Sequence, residues 1–219
     1  MEVVARMNQA KYDVFRWRYE LAVPKKLALA LVMAGLTGLL AQARFPLPWS
    51  PVPITGQTFA VLLAGVMLGR WWGGISMAIY AALGVAGIPW FNGGMGGLAQ
   101  LAGPTGGYIF GFVLAALFIG HFTDKYVRSR SFVSMLGLML VGDFVLVFVP
   151  GLTQLGLWLS LVKGSPVSSA TLFGMGLVPF IAGDVTKAVL AALVARGVTP
   201  KAAYNRETDG DRWARWRLP

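Results

Sequence analysis

Apolar runs close to the length of a bilayer's hydrocarbon core recur along most of this 219-residue chain, and the charged residues collect in the short segments between them. A helix rises 1.5 Å per residue, so about 20 consecutive apolar residues cross such a core. A soluble domain of this size needs only one core and has no use for so many runs. Only 13% of the residues are charged and 56% are hydrophobic, against roughly 25% charged in an ordinary soluble domain. The reading is an all-α integral membrane protein.

The runs fall at about 27–43, 55–69, 73–88, 105–123, 132 to 150 or a little beyond, and 172–195, giving six expected spans. Segment 1–26 reads as a basic, amphipathic lead-in lying near lipid headgroups, 27–195 as one membrane domain, and 196–219 as a basic tail. No cleavable signal peptide is read, because mostly polar residues precede the first run. A proline series, FPLPWSPVPITGQ, separates the first two spans and cannot continue a helix. LGRWWGG marks an interfacial turn between the second and third, since indole rings favour the headgroup region.

Sidedness follows from the 19 lysines and arginines. Six precede the first span, Arg70 lies between spans two and three, Lys125, Arg128 and Arg130 lie between four and five, and six fall in the tail. The opposite loops hold only Arg44 and Lys163, and Lys187 is inside a span. The positive-inside rule then places both termini in the cytoplasm and the Pro-rich, Gly-rich and 151–171 loops outside. This distribution also argues against nucleic acid as the reason for the net charge of +10.

Three ionisable residues lie within the expected spans: Asp143, Asp184 and Lys187. Each costs at least about 2.5–3.5 kcal/mol there, so a partner or polar cavity is expected. Asp184 and Lys187, three residues apart, share a helix face and can pair. Either the pair staples helices together, or it grips a polar ligand, the carboxylate accepting N–H donors and the ammonium meeting a carbonyl. Such a pair suits a cyclic amide or urea. Asp143 reads equally well as proton relay, partner to Lys187 or helix glue. In the uncharged loop IPWFNGGMGGLAQLAGPTGGY, Trp90, Phe91, Asn92 and Tyr108 offer aromatic walls and an amide; a tightly packed loop without ligand fits those residues as well. No phosphate-binding G-x-x-x-x-G-K-[ST] element occurs, there is no cysteine, and His121 is the single histidine, so neither ATP binding nor a metal or cofactor is expected. In the first span Ala30, Ala34 and Gly38 form a small-residue stripe, suited to internal packing or to a partner subunit.

Taken together, PVPITGQTFAVLLAGVMLGRWWGG, YAALGVAGIPWFNGGMGGLAQLAGPTGGYIFGF and PFIAGDVTKAVLAALVARG resemble the BioY family, the biotin-specific substrate-capture (S) components of energy-coupling-factor (ECF) transporters. The likeness covers about residues 26–198, in the family's order and spacing. It implies a six-helix bundle in the prokaryotic plasma membrane that binds biotin from outside and is not an enzyme. It also implies a transmembrane T component and a pair of cytoplasmic ATPases as partners, so that ATP is used by those subunits. Carried over by position, GDVTK supplies Asp184 and Lys187, and the glycine-rich loop supplies an external biotin loop with Gly94, Gly97 and Thr105. PITGQTF supplies Gln57, and Ala30 and Ala34 match the small-residue motif that docks on the T component. The family's fifth helix usually lacks an acid where Asp143 stands here. Other classes to weigh are a stand-alone proton-coupled carrier using Asp143 and Asp184, and, with least support, a membrane enzyme.

Overall fold

The computed structural model describes residues 2–164, 166–204 and 207–209. The tail beyond 209, within the expected basic segment 196–219, lies outside the described residues. Among the described residues five helical stretches are long and apolar enough to cross a membrane: Val23–Gln42, Gln57–Val85, Gly106–Lys125, Phe132–Val162 and Ser169–Val198.

The lead-in is a helix, α1 (Glu2–Glu20), followed after a two-residue break by α2 (Val23–Gln42). Pro24 sits in the first turn of α2, where its missing N–H costs nothing. The inward face of α2 is Ala30, Met33, Ala34, Thr37, Gly38 and Ala41, a 3.6-residue period. Its outward residues Leu31, Val32, Leu36 and Leu39 are apolar too, as a helix surrounded by lipid requires.

The Pro-rich segment is not irregular. It forms an antiparallel ribbon of β1 (Arg44–Leu47) and β2 (Ser50–Thr55), with an irregularity between Phe45 and Leu47. A two-stranded ribbon has only edge strands, so prolines that cannot donate are tolerated. This adds a small sheet to the expected all-α chain.

Helix α3 (Gln57–Val85) breaks at Gly69, whose φ of 79° lies in the left-handed region. The chain reverses there. A Cβ at Gly73 would stand 2.9 Å from the Ala64 carbonyl oxygen, whereas nine residues of straight helix would separate them by about 13 Å. Legs 57–68 and 70–85 therefore lie side by side, as the expected second and third spans do. Helix α5 (Gly106–Lys125) packs along both legs, close enough that a Cβ on Gly65 would come within 2.6 Å of the Ala116 carbonyl. Between α3 and α5 the glycine-rich loop carries the short α4 (Leu98–Ala102).

The fifth stretch, expected to reach Pro150 or a little beyond, runs on to Lys163. Pro150 does not end it: α6 (Phe132–Val141) continues through a π-helical turn, Gly142–Val147, into α7 (Phe148–Lys163). A helical proline clashes with the carbonyl four residues earlier, here Leu146. That carbonyl lies in the widened turn, which relieves the clash. Most of the expected 151–171 loop is thus helix, residues 151–163 in α7 and 169–171 at the start of the next helix. The sixth stretch is broken in turn: α8 (Ser169–Gly176) gives way to a 3-10 turn at Val178–Phe180, where Pro179 interrupts the ladder, before α9 (Ile181–Val198).

The bundle has two unlike ends. One gathers β1–β2, the glycine-rich loop and the break before α9. The other gathers the Gly69 reversal, Asp124, Arg130, the end of α9 and the described tail, with α1 lying against them through Lys11 on the Arg196 carbonyl and Tyr12 beside Tyr204. The two ends of the described chain therefore meet on one face.

Candidate functional site

The π-helical turn, through Val147, and the break before α9, through Phe180, meet one cavity at the ribbon end. Pro179 starts α9 so that Asp184 stands in its first turn, where the helix dipole favours an anion. Lys187 follows one turn on and donates to Asp184 Oδ1 at 2.6 Å; the same oxygen accepts from Thr58 Oγ1 at 2.9 Å. Asp184 is 2% exposed, and the Lys187 side chain retains 18%. Among described residues Asp184 Oδ2 accepts no hydrogen bond, and two ammonium N–H groups of Lys187 remain for a ligand.

The first residue of α3, Gln57, donates through Nε2 to Tyr80 Oη (2.8 Å) and accepts from Thr55 Oγ1 (3.0 Å) through Oε1. Tyr80 is held by Trp90, whose indole N–H donates to the Tyr80 carbonyl at 3.0 Å. Tyr108 on α5 donates to the Gly176 carbonyl at 2.9 Å, tying α5 to the end of α8. Asn92 is 7% exposed. Its side-chain amide forms no hydrogen bond with a described residue, although a buried amide normally does.

The cavity is walled by Val52, Tyr80, Tyr108, Ile109, Phe112, Val147, Phe148 and Phe180, and its space together with the solvent at its open mouth is about 550 Å³. An apolar enclosure with a few convergent polar groups is the usual build of a small-ligand site. Among the described residues, the wall groups left for a ligand include an anionic acceptor on Asp184, cationic donors on Lys187, and the two N–H donors and carbonyl acceptor of Asn92.

The residues singled out from sequence divide by position. Asp184, Lys187, Asn92, Tyr108, Gln57 and Thr105 line the cavity. Trp90 and Phe91 stand behind it, packed on Tyr80 with ring centroids at 5.3 and 5.4 Å. Gly94 and Gly97 take positive φ in the turns that carry the loop; the Gly94 N–H is fixed by Gln42 Oε1 at 2.9 Å. Sequence reading passed over Tyr80 and Thr58. A single hydroxyl-bearing ring in the apolar run SMAIYAAL, and the hydroxyl directly after Gln57, were the available signals.

The small-residue stripe needs correction. Ala30 and Ala34 are fully buried inside the chain, and a Cβ on Gly38 would lie 2.9 Å from Trp90 Cβ. Of the two uses open to the stripe, internal packing is the one seen, because Gly38 lets α2 approach the Trp90 side chain closely; the resemblance had implied docking on a partner. Asp143 does not line the cavity. It is completely buried in the π-helical turn, and both carboxyl oxygens lack a partner among the described residues. No group of three His, Cys, Asp or Glu residues able to hold a metal occurs among the described residues.

Comparison with known proteins identifies the family and the fold. A model of the BioY family matches residues 8–204. A probable biotin transporter BioY of Methanothermobacter thermautotrophicus is 48% identical over 157 residues, covering 72% of this chain and 100% of that one. The biotin transporter BioY of Rhizobium etli is 35% identical, over 77% and 89% of the two chains. The crystal structure of the S-component for biotin from an ECF-type ABC transporter superposes with a TM-score of 0.69, at 29% identity, over 80% of this chain and 93% of that one.

Proposed function

The chain belongs to the BioY family, and from that premise we propose that it is a multi-pass protein of the prokaryotic plasma membrane that captures biotin for uptake. Biotin's bicyclic head carries a cyclic urea, with two N–H donors and one strong acceptor. The observation that carries the reading is the set of unsatisfied groups on the cavity wall: Asp184 Oδ2, the Lys187 ammonium and the Asn92 amide. Asp184 and the Asn92 oxygen accept the two ureido N–H groups, and Lys187 donates to the ureido carbonyl. Tyr80, Tyr108, Phe148 and Phe180 enclose the sulfur-containing ring. Gln57 and Thr105 sit on the wall where they add polar contacts, while Trp90, Phe91, Gly94 and Gly97 hold the loop that closes the mouth.

Six crossings are proposed, with each leg of α3 counted as one. At about 1.5 Å per residue leg 57–68 falls short of a hydrocarbon core of about 30 Å. The ribbon that precedes it is non-helical backbone packed against protein, which is tolerated at membrane depth. The loop charges put the Gly69 reversal and both termini on the cytoplasmic side, so biotin enters from outside. This chain has no nucleotide-binding element in its sequence, and binding alone moves nothing uphill. Release is therefore assigned to a T component and a pair of ATPases that use the ATP, and this chain carries no enzymatic role.

Equilibrium binding of biotin to the purified protein tests the grip. Asp184→Asn and Lys187→Ala each remove a charged hydrogen-bonding group worth about 1.5–3 kcal/mol, so affinity is expected to fall roughly 10- to 100-fold. Unchanged affinity in both variants sinks the assignment. Asp143, buried and without a hydrogen-bond partner among the described residues, favours one rival, a proton-coupled carrier acting alone. That rival requires uptake into vesicles driven by a pH gradient with no ATPase present.

A further inference from the structure

Helix α1 has three faces, and the bundle covers only one. At about 100° per residue, Lys11, Tyr12, Phe15, Arg18 and Tyr19 share one side, and these residues hold the helix in place. Phe15 is 3% exposed and lies between two guanidinium groups, with Arg18 at 4.0 Å and Arg130 at 4.3 Å from its ring centre. Arg18 pairs with Asp124 at 2.6 Å. A second side carries Arg6, Gln9, Asp13, Arg16 and Glu20, where Gln9 donates to Asp13 (2.9 Å) and Arg16 pairs with Glu20 (2.8 Å). The third side is apolar. Val3, Met7, Ala10, Val14 and Trp17 fall in an arc of about 80°, and Val3, Met7, Val14 and Trp17 are 71%, 56%, 60% and 53% exposed.

A helix lying between protein and water needs two kinds of face. A third, apolar one calls for a third medium beside it. That medium is already next to the helix: α2 begins three residues after α1 ends, and Val23, Leu27 and Leu31 on its outer side are exposed at the start of a membrane span. The apolar arc runs into this lipid-facing surface. Cationic residues border it, with Arg6 on the watery side and Lys11 on the protein side, a charge pattern that suits anionic headgroups. Trp17 has the ring chemistry favoured at that depth.

We propose that α1 is an in-plane membrane anchor, with Val3, Met7, Val14 and Trp17 immersed at the headgroup–acyl boundary of the bilayer that the bundle spans. Through Arg18, Asp124 and Phe15 the anchor is joined to the Gly69 reversal and the tail, so the bilayer surface holds that end of the bundle in register.

The absence of cysteine from the sequence permits a direct test on the full chain. Val14→Cys, Met7→Cys and, on the polar side, Gln9→Cys are each labelled with an environment-sensitive fluorophore. The proteins are reconstituted into vesicles of phosphatidylcholine and phosphatidylglycerol, then exposed to a lipid-borne or an aqueous quencher. The expected result is a reversal: labels at 14 and 7 are quenched several-fold more by the lipid-borne agent, and the label at 9 by the aqueous one. Aqueous quenching at all three positions overturns the proposal. Shielding of 14 and 7 from both agents also overturns it, because a protein surface, such as a second copy, then covers the stripe. Two apolar positions guard against one label disturbing the fold, and biotin binding of each labelled protein reads the site separately. Failure of the unlabelled chain to bind biotin rejects the functional reading and leaves the quenching result intact.

Discussion

Asp143 and Tyr80 show what single residues decide here. Asp143 lies fully buried in a widened helical turn with no hydrogen-bond partner among the described residues, and it is not on the cavity wall. An isolated carboxyl taken from water without a partner is a cost rather than a support. Asp143→Asn is therefore expected to keep the protein as stable as before and to leave biotin affinity within about threefold, roughly 0.7 kcal/mol. Calorimetry in detergent measures both, and a tenfold loss of affinity would move Asp143 into the binding machinery. Tyr80→Phe tests the opposite case. It strands Gln57 Nε2, bonded at 2.8 Å to the lost hydroxyl, and an unsatisfied buried donor costs about 1–3 kcal/mol; a lowered thermal midpoint is the expected outcome. The Asp184–Lys187 pair was legible because the cost of charge in a span and the three-residue spacing both point to it. Tyr80 was not, because a tyrosine in an apolar run looks like packing until its hydroxyl is seen to reach Gln57.

At the scale of elements the breaks matter more than the helices. The Gly69 reversal is closed by one carboxylate: Asp124 Oδ2 accepts from the Arg70 N–H at 2.8 Å, capping the second leg, while Oδ1 pairs with Arg18, which also donates to the Val66 carbonyl at the end of the first. Asp124→Ala removes an N-terminal cap worth about 0.5–2 kcal/mol and leaves the part-buried Arg18 without its anion. A larger loss, about 2–4 kcal/mol, is expected, with little effect on biotin affinity because the site lies at the other end. Chemical denaturation in mild detergent and a binding titration separate the two, and equal loss of both would refute this independence. The reversal itself could be anticipated from Arg70, the tryptophans and the glycines around them. The continuous α6–α7 could not. Pro150 signals an ending, and only the π-helical turn, which leaves no mark in hydrophobic periodicity, shows how the helix passes it.

Across the whole molecule the two ends are held by different forces. Around the cavity, rings and aliphatic side chains pack with neutral hydrogen bonds and one ion pair, Asp184–Lys187. At the far end charged groups do the joining, and that difference was readable in advance from where lysine and arginine fall. The partners of those charges were not readable, since Arg130 meets Glu207 across 77 positions at 2.7 Å with both side chains almost wholly buried. Burial pushes the Glu207 carboxyl up, but the Tyr204 N–H and Arg130 outweigh it and hold the group below its ordinary value of 4.5. A carboxylate depressed on folding adds stability that is complete above its unfolded value and fades as pH falls through the folded one. The tail is thus expected to stay docked at neutral pH and to loosen only in acid, starting below 4.5. Hydrogen exchange of residues 200–204, corrected for the intrinsic rate at each pH, follows this directly. Glu207→Gln should bring the loosening to neutral pH, because it leaves the buried Arg130 without a counter-charge at a cost of about 3–5 kcal/mol. Since Phe15 rests on the Arg130 guanidinium at 4.3 Å, α1 should lose protection in the same variant. If exchange of 200–204 in Glu207→Gln matches that of the unaltered chain at every pH, this ion pair does not hold the tail.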